Sequence, residues 1–545
     1  MPTVRLNRDV VEKVIGKKLS VEELKDRISL LGTDLDDITE HEIEVEIFPN
    51  RPDMLSEQGF SRALSSFVSG KTGLRHYEVK KSGEKVIIDK SVKDVRPYTA
   101  CAIVKNLKLD DEKIKELVQM QEKLHVTYGR KRKKVAIGIY PMEKVKPPIT
   151  FFADKPENIR FVPLEEDKEM NGREILTDTS TGRDYAHLLE GYEKFPFFKD
   201  SAGNVLSMPP VINSHDTGRI NEKTEEVFIE CSGHDLNILK RCLNMIVTTM
   251  ADFGAEIYSM KLEYDKEEVT PNLEPGRMKM DIDYINKLLG LKLTENDLKE
   301  LLERMGYGYD GDVLVPAYRT DILHQVDLAE DIAIAYGYEN FEASMEIPQT
   351  TAKEHPMEVY KKKIREILVG VGMIECKSYH LINKEDCVEN TLAPLKYIEL
   401  SNPTSSEYSI LRPWMIPSLL SIFRLNKTND YPQKIFDIGR CFKKDDGEET
   451  GVKEFTRLGA AVCSRDAGYT EIKQVLDYLL RMMDIDYEIE STEHPSFIPG
   501  RVGRVKANGK KVAFIGEVHP QVLENFELEM PVALFELNLS DLFNF

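Results

Sequence analysis

The chain has 545 residues, and its 94 acidic and 74 basic side chains give a formal net charge of −20. Apolar residues make up 41% and charged residues 31%, a mixture typical of globular proteins, and the length predicts about three or four domains. The acidic balance argues against a protein that coats nucleic acid, because phosphate binding needs Lys and Arg. A local basic patch remains compatible with it.

Cysteine usage and hydropathy indicate a reduced protein outside the membrane. The seven cysteines form no C-x-x-C pair and their number is odd, so neither a disulfide framework nor a clustered zinc site is predicted. No run approaches the roughly 18 apolar residues of a membrane helix. The first residues lack an apolar signal segment. We therefore expect a cytoplasmic protein with no membrane partner.

An ungapped internal repeat relates residues 15–32 to residues 289–306. Apolar residues recur at helical spacing in both copies. A capping-box start and a glycine at the helix C′ position stand at equal offsets: Ser20, Glu23 and Gly32 in the first copy, and Thr294, Asp297 and Gly306 in the second. The repeat predicts the same helix in two places.

Both copies continue through a polar stretch to a Pro-x-Arg-like turn, at 49–55 and 316–323, and then into a second helix. This pattern predicts two related α+β modules of about 75 residues each. The predicted domains are a first module at 1–85, a strand-rich middle domain at 90–265, a second module at 270–345 and a C-terminal domain of alternating helices and strands at 350–545.

The middle domain holds a candidate hydrolytic group. Apolar strands are predicted at 135–139 and 226–231, followed by a helix from Asp235. Glu230 interrupts the second strand, and the segment 207–214 upstream is followed by the hydroxyl residues Thr217 and Thr224. A carboxylate at a strand end beside hydroxyls could orient a water for hydrolysis. The alternative interpretation is an acid at an exposed edge or a helix cap.

The same domain contains a run of five basic residues, 130–134, which follows His125 and Tyr128. Such a run can track a phosphate backbone. It is equally typical of a solvated loop beside a strand. Both interpretations stay open at this point.

The second module has an acidic cluster formed by Asp321, Asp327, Glu330 and Asp331. The last three stand at i, i+3 and i+4 and therefore share one face of a helix. Like charges at this spacing repel one another, and a hard divalent cation such as Mg²⁺ would compensate them. Acids in a first helical turn also simply complement the helix dipole. The chain has no phosphate loop, dinucleotide-binding glycine motif or nucleophile elbow, so we do not expect it to bind ATP by itself.

Five motifs in order along the chain carry a family resemblance. They are Glu46-x-x-Pro49-Asn50-Arg51-Pro52-Asp53, Ser207-x-Pro209-Pro210-x-Ile212-Asn213-Ser214, Arg319-x-Asp321 with Asp327-Leu328-x-Glu330-Asp331, Leu400-Ser401-Asn402-Pro403 with Tyr408-Ser409-x-Leu411-Arg412, and Phe436-Asp437-Ile438-Gly439. Together they resemble the β subunits of phenylalanyl-tRNA synthetases, in the shorter archaeal and eukaryotic form.

The resemblance implies a division of labour between two chains. A separate α subunit activates phenylalanine with ATP and transfers it to tRNA(Phe), and the β subunit joins it in an (αβ)₂ heterotetramer. The C-terminal domain is implied to be an antiparallel class II synthetase core that has lost its catalytic residues. The acids Asp321, Asp327, Glu330 and Asp331 match residues that hold Mg²⁺ together with the α subunit. That metal would support assembly rather than chemistry.

The resemblance also implies an editing site that hydrolyses mischarged Tyr-tRNA(Phe). The matching residues are Phe198, Ser207, Asn213, Glu230 and Ser232, with Tyr185 and His187 nearby. Related archaeal chains read Asp-x-Thr where this chain reads Glu230-Cys231-Ser232, which lengthens the acid by one methylene. Two competing hypotheses are a non-enzymatic tRNA-binding or assembly subunit with decayed editing, and a free-standing metal-dependent hydrolase that uses the acids at 321–331.

Overall fold

The computed structural model describes residues 2–345 and 350–544, and the chain divides into two compact units, Met1–Ser344 and Met345–Phe545. The architecture is a multidomain mixture of helices and several sheets, as predicted. No helix in the described ranges combines the length and the apolar composition needed to cross a membrane.

The first module opens the chain with a three-stranded sheet and three helices. Its elements are β1 Thr3–Asn7, α1 Arg8–Ile15, α2 Val21–Leu30, β2 Asp34–Ile38, β3 Glu42–Glu46 and α3 Glu57–Phe67. The sheet order is β1-β3-β2. The predicted capping box is present, because the Ser20 hydroxyl accepts from the amide of Glu23 and the Glu23 carboxylate accepts from the amide of Ser20.

The second module repeats this order of elements. It contains β16 Gly276–Met278, α9 Ile282–Leu289, α10 Glu295–Arg304, β17 Gly308–Tyr309, β18 Val313–Val315 and α11 Gln325–Tyr336, with sheet order β16-β18-β17. Helices α9 and α10 correspond residue for residue to α1 and α2. Gly32 and Gly306 both adopt positive φ, +88° and +83°, as expected of glycines that follow a helix.

The two modules face each other through corresponding positions. A Cβ built on Gly32 would lie 3.7 Å from Ile334 Cδ1, and one built on Gly306 would lie 3.7 Å from Ser66 Oγ. Ser66 and Ile334 are separated by 268 positions, the same offset that relates Arg51 to Arg319. The interface is therefore close to two-fold symmetric.

The middle domain is built on a ten-stranded sheet. Its strands are β4 Val79–Ile88, β5 Tyr98–Lys105, β6 Val135–Pro141, β7 Ile149–Asp154, β10 Phe195–Lys199, β11 Val205–Met208, β12 Ile212–Asn213, β13 Val227–Gly233, β14 Glu256–Glu263 and β15 Glu267–Thr270. The sheet order is β12-β11-β10-β7-β4-β14-β5-β13-β6, with β15 paired to β14. The sheet thus begins before residue 90 and ends after residue 265.

Helices and one small hairpin complete this domain. They are α4 Asp111–Val126, β8 Arg160–Phe161, β9 Met170–Asn171, α5 Gly172–Asp178, α6 Ser180–Tyr185, α7 His215–Gly218 and α8 Leu236–Asp252. The predicted strands and the helix after Asp235 are confirmed. One face of the sheet packs on α8 in a core continuous with both modules, and the other face packs on a separate core around Phe151 and Phe198.

The C-terminal unit is organised around a seven-stranded sheet with order β19-β23-β24-β28-β27-β26-β25. Only β19 and β23 pair in parallel, and the other neighbours are antiparallel. The strands and helices of the unit are α12 Pro356–Gly370, β19 Ile374–Glu375, β20 Leu381–Ile382, α13 Lys384–Val388, β21 Ile398–Glu399, β22 Ile410–Leu411, α14 Ile416–Leu425, β23 Gln433–Lys444, β24 Val452–Cys463, α15 Tyr469–Met482, β25 Tyr487–Ser491, β26 Phe497–Ala507, β27 Lys510–Val518, α16 Pro520–Asn525, β28 Val532–Asn538 and α17 Leu539–Phe543.

Candidate functional site

Glu230 lies on β13, the strand next to the β6 end of the ten-stranded sheet, where its neighbours are Cys101 on β5 and Gly138 on β6. Side chains alternate along a strand, so Ile229 packs toward α8 while Phe228 and Glu230 face the opposite core. Glu230 is only 2% exposed. The acid is therefore a buried group inside an apolar sheet, and the interpretation as an exposed edge residue is wrong.

Tyr140 connects Glu230 to the loop segment that the sequence singled out. Its hydroxyl lies 3.4 Å from Glu230 Oε1 and 3.3 Å from Asn213 Oδ1. Burial raises the pKa of Tyr140 well above its usual value. The phenol therefore remains a proton donor at any physiological pH, and its one hydrogen serves either acceptor.

The protonation of Glu230 is set mainly by its burial. Removal from water raises the pKa of Glu230 to about 8, and the Arg96 guanidinium opposes this rise. Burial likewise lowers the pKa of Arg96 to about 10. Arg96 Nε donates to the Ser232 hydroxyl at 3.1 Å. Among the described residues, Glu230 Oε2 has no hydrogen-bond partner, so one carboxylate oxygen is available to a ligand or water.

The remaining predicted residues come together on the hairpin that ends the sheet. Ser207 on β11 pairs with Phe198 on one side and with Asn213 on the other. The Phe198 ring stacks on Phe151 with 4.3 Å between centroids and is fully buried. The Ser207 hydroxyl is buried without a hydrogen-bond partner in the described structure. An apolar wall and unpaired polar atoms thus stand side by side.

A glycine makes room for this group. A Cβ placed on Gly138 would lie 2.2 Å from the Tyr140 hydroxyl and 2.7 Å from Glu230 Oε1. Tyr140, Gly138 and Arg96 did not stand out in the sequence. Gly138 and Tyr140 could have been noticed, because a glycine inside a buried strand often marks a close approach of another group. Nothing in the sequence around Arg96 pointed to the site.

Tyr185 and His187, the two residues expected near the site, differ in burial: Tyr185 is half-buried and His187 is exposed. The Arg132 guanidinium lies 4.2 Å from the centroid of the Tyr185 ring, and its Nη1 donates to the carbonyl of Val211 at 2.8 Å. Tyr185 is therefore held against the turn that carries Asn213. His187 lies on the next short turn, Ala186–Leu188, and is exposed.

The basic run divides into two kinds of residue. Arg130, Lys131 and Arg132 all have positive φ, between 48° and 63°, a conformation that disfavours side chains with a Cβ by roughly 1–2 kcal/mol per residue. Arg132 turns inward, while Arg130, Lys131 and Lys133 remain exposed. The run is therefore a tight loop with one structural arginine, three cations facing solvent and a half-buried lysine, Lys134.

The acidic cluster of the second module is largely engaged within the chain. Arg319 Nη2 donates to Asp321 at 2.7 Å and to Asp331 at 2.8 Å. Asp331 also accepts from the Tyr307 hydroxyl. Asp327 accepts from the amides of Leu323 and His324, both at 2.8 Å, and so caps α11. Glu330 is exposed.

These contacts limit how the chain can hold a metal. Within the described ranges, no three His, Cys, Asp or Glu side chains are grouped as around an ion. Mg²⁺ usually takes one or two carboxylates and keeps several waters. Asp327 and Glu330 fit such a partial set, whereas Asp321 and Asp331 would first have to leave Arg319. The four-residue ligand set stays a prediction.

In the C-terminal unit, two of the motifs meet around a buried arginine. Arg412 Nε donates to the carbonyl of Arg440 at 2.8 Å, and its Nη1 lies 2.6 Å from Ser378 Oγ and 3.4 Å from Asp437 Oδ2. A Cβ on Gly439 would lie 2.0 Å from Arg412 Nη2. The guanidinium is enclosed by its own chain, as a structural rather than a ligand-binding group would be.

Comparison with known proteins matches most of the chain. Residues 1–70 match the Phe-tRNA synthetase beta subunit B1 domain, residues 278–338 the tRNA synthetase B5 domain, and residues 342–539 the phenylalanyl tRNA synthetase beta chain CLM domain. The crystal structure of an N-terminal fragment of the phenylalanyl-tRNA synthetase beta-subunit from Pyrococcus horikoshii is 40% identical, with a TM-score of 0.59, over 62% of this chain and 99% of that one.

Full-length relatives agree with these matches. The phenylalanine–tRNA ligase beta subunit of Pyrococcus abyssi is 41% identical over 556 aligned residues, covering 100% of both chains. That of Methanocaldococcus jannaschii is 37% identical, covering 99% of this chain and 100% of its own. The chain therefore belongs to the family of phenylalanine–tRNA ligase beta subunits.

Proposed function

We propose that the chain works with an α subunit, as an (αβ)₂ heterotetramer, to attach phenylalanine to tRNA(Phe) at the expense of ATP. The observation that carries this proposal is the identity of about 40% over the whole length of proteins named as beta subunits of this ligase. The enclosed environment of Arg412 supports a scaffold role for the C-terminal unit, with activation left to the α subunit. The expected cytoplasmic location stays a prediction.

The direct test is reconstitution. The purified chain should form no Phe-tRNA(Phe) with ATP, phenylalanine and tRNA, and addition of an α subunit should restore synthesis. Synthesis by the chain alone would contradict the division of labour. Failure to assemble with any α subunit would favour the free-standing hydrolase instead.

A second proposed activity is hydrolysis of Tyr-tRNA(Phe) in the middle domain. Tyrosine differs from phenylalanine by one hydroxyl, which an apolar pocket rejects by only about a hundredfold. Removal of the tyrosine that is attached in error then requires a second site, which recognises this hydroxyl through a hydrogen bond. The buried group formed by Glu230, Tyr140, Ser207 and Asn213 supplies unpaired polar atoms beside the Phe198 ring.

Each residue has a distinct part in this proposal. Glu230, once ionised, accepts a proton from a water that attacks the ester carbonyl, and it returns this proton to the ribose oxygen as the ester C–O bond breaks. Arg96 favours the ionised form of Glu230. Tyr140 and Asn213 hold the carboxylate and the water in place. Ser207 and Ser232 line the polar side, and Phe198 gives the apolar wall against which an aromatic ring packs.

The editing proposal is tested by the double variant Glu230→Ala/Asn213→Ala in the assembled complex. Tyr-tRNA(Phe) should accumulate, while Phe-tRNA(Phe) synthesis continues. Glu225→Ala is a matched control, because Glu225 is exposed just before β13. Unchanged deacylation in the double variant would place editing elsewhere.

One observation favours the alternative of an assembly subunit with decayed editing. Glu230 is 2% exposed and its pKa is raised to about 8, so most copies are protonated at neutral pH. A deacylation assay on mischarged tRNA separates the alternatives, since a decayed site leaves Tyr-tRNA(Phe) intact. In either case the exposed cations Arg130, Lys131 and Lys133 are the tRNA contacts that we propose.

We also propose that Mg²⁺ binds at the start of α11 and supports contact with the α subunit. Of the four matching acids, Asp327 and Glu330 would hold it, because Asp321 and Asp331 are ion-paired to Arg319. The ion would neutralise the repulsion between acids on one helix face and would take its remaining ligands from water or the partner chain.

A further inference from the structure

The C-terminal unit contains a cavity of about 460 Å³ that the proposed function leaves without a role. It lies on the seven-stranded sheet, with Arg457 from β24, Arg504 from β26 and Lys511 from β27 in its lining. Trp414 borders it from the segment before α14. Its size is within the range of small-ligand sites.

The charge of the lining is opposite to that of the chain. The cations around the cavity are Lys396, Lys443, Lys444, Arg457, Arg504 and Lys511. Only two carboxylates, Glu536 and Asp541, belong to the same lining. In a protein with net charge −20, this is a local excess of positive charge.

The two acids offset only part of this excess. Glu536 pairs with Arg457 through Oε1, and its Oε2 accepts from the amide of Met415 at 2.8 Å. Asp541 accepts from the side-chain amide of Asn538. Both carboxylates are thus occupied by their own surroundings.

Among the described residues, three of the remaining cations lack a carboxylate partner, whereas Lys444 pairs with Asp446 at 3.9 Å. Within the described part of the chain, Lys443, Arg504 and Lys511 form no ion pair with a carboxylate, and the Arg457 Nε atom is buried with no acceptor. Partial burial lowers the pKa of Lys443, and Arg457 and Arg504 lower it further, while Asp541 and Glu536 oppose this shift. Cations that crowd one another in a concave site are stabilised by a bound anion.

One wall of the cavity is aromatic. The Trp414 and His494 rings lie 5.6 Å apart, and His494 meets Phe514 edge-on at 4.9 Å. The Arg504 guanidinium covers Phe514 at 4.0 Å from its centroid. Flat rings beside cations suit a ligand that carries both phosphates and a planar base. Phosphates without a base could still bind to the cations.

We infer that this cavity binds a small polyphosphate-bearing ligand, either inorganic or a nucleoside polyphosphate. All residues of this lining belong to the C-terminal unit, and none of them is a residue proposed for editing. No step of the proposed ligation or editing uses this cavity. A failure of the proposed ligation or editing activity would therefore leave this inference intact. A failure to bind polyphosphate would likewise leave those two proposals intact.

The only tryptophan of the chain lines this cavity, so its fluorescence reports on the site selectively. We expect tripolyphosphate, titrated into the full-length chain at low salt, to change Trp414 fluorescence with saturation. ATP in a parallel titration distinguishes the sources, since tighter binding of ATP indicates base stacking and equal binding indicates phosphate recognition alone. Both outcomes support the inference.

The variants Lys443→Glu and Lys511→Glu replace exposed side chains of the lining and should weaken binding at least tenfold each. Lys363→Glu on α12 is the control, because Lys363 is exposed but does not line the cavity. Circular dichroism verifies that all three fold. No saturable response to millimolar tripolyphosphate or ATP, or equal affinity in the two lining variants and the control, would overturn the inference.

Discussion

Tyr140 places its hydroxyl 3.4 Å from Oε1 of Glu230, the buried acid on the neighbouring strand. The same hydroxyl is 3.3 Å from Asn213, so one phenol joins the sheet to the hairpin. The Tyr140 ring stacks against Phe228 at 5.7 Å, which fixes its position independently of the hydroxyl. The contact can therefore be removed without moving the ring.

Tyr140→Phe should slow deacylation of Tyr-tRNA(Phe) by about tenfold or more, because a hydrogen bond to a charged group contributes about 1.5–3 kcal/mol. Phenylalanine attachment by the complex should be unchanged. Tyr379→Phe, which removes a hydroxyl from a ring that is 74% exposed in the C-terminal unit, is the control. Equal deacylation in both variants would remove Tyr140 from the site.

The pH dependence of deacylation should carry the signature of Glu230. If the carboxylate is the base, the rate rises with pH through about 8, where the buried group ionises. Glu230→Gln should flatten this rise. Arg96→Met should move the midpoint upward, since Arg96 stabilises the carboxylate. If the midpoint of the pH–rate profile is the same in both variants as in the wild type, another group controls the rate.

The same ionisation affects stability with a definite sign. The folded pKa of Glu230 lies above the unfolded value of 4.5, so folding favours the protonated form. Its contribution to the free energy of unfolding is complete below about pH 4.5 and is lost as pH rises through about 8. Chemical denaturation of wild type and Glu230→Gln at both ends of this window measures the difference.

Gly138→Ala should damage the site by crowding. The added methyl would meet the Tyr140 hydroxyl at 2.2 Å, and overpacking of this kind costs about 1–3 kcal/mol. Deacylation should fall more than charging does. Gly83→Ala or Gly191→Ala would not serve as the control, because both glycines have positive φ. Gly370→Ala is suitable, since open space surrounds it.

The start of α11 allows a metal role to be separated from a capping role. Asp327→Ala removes acceptors from two backbone amides and should lower stability by about 1 kcal/mol with or without Mg²⁺. Glu330→Gln should leave the stability of the chain unchanged. It should nevertheless weaken Mg²⁺-dependent association with the α subunit, measured by sedimentation with and without EDTA. Association that is indifferent to EDTA would refute the metal.

In the C-terminal unit, Arg412→Met should be strongly destabilising. It leaves the buried Asp437 carboxylate without its arginine, and breaking such a pair costs about 3–5 kcal/mol. The double variant Arg412→Met/Asp437→Leu should recover part of this loss. Denaturation followed by Trp414 fluorescence reports on this unit, because Trp414 is the only tryptophan. If the double variant recovers no stability, the contribution of Arg412 comes from its hydrogen bonds to Arg440 and Ser378 rather than from the pair with Asp437.

Local signals predicted the modules well. Capping residues and terminal glycines act over three or four positions, so Ser20 and Gly32 reveal helix α2 without knowledge of the rest of the fold. The residues proposed for editing from the family motifs also lie close together. Tyr140 was invisible because its contact with Glu230 spans 90 positions and depends on strand pairing. The anion cavity is harder still, since its cations come from separate strands and loops.

The packing between the two modules has a consequence for the residues that differ between them. Equivalent residues that meet across an axis are the property of isologous pairing between identical subunits, here achieved inside one polypeptide. At the offset of 268 that relates α3 to α11, the acids Asp327, Glu330 and Asp331 stand where the first module has Gly59, Arg62 and Ala63. Both copies thus share one packing surface, while helix α11 of the second copy carries three carboxylates where α3 of the first has a cation and two small residues.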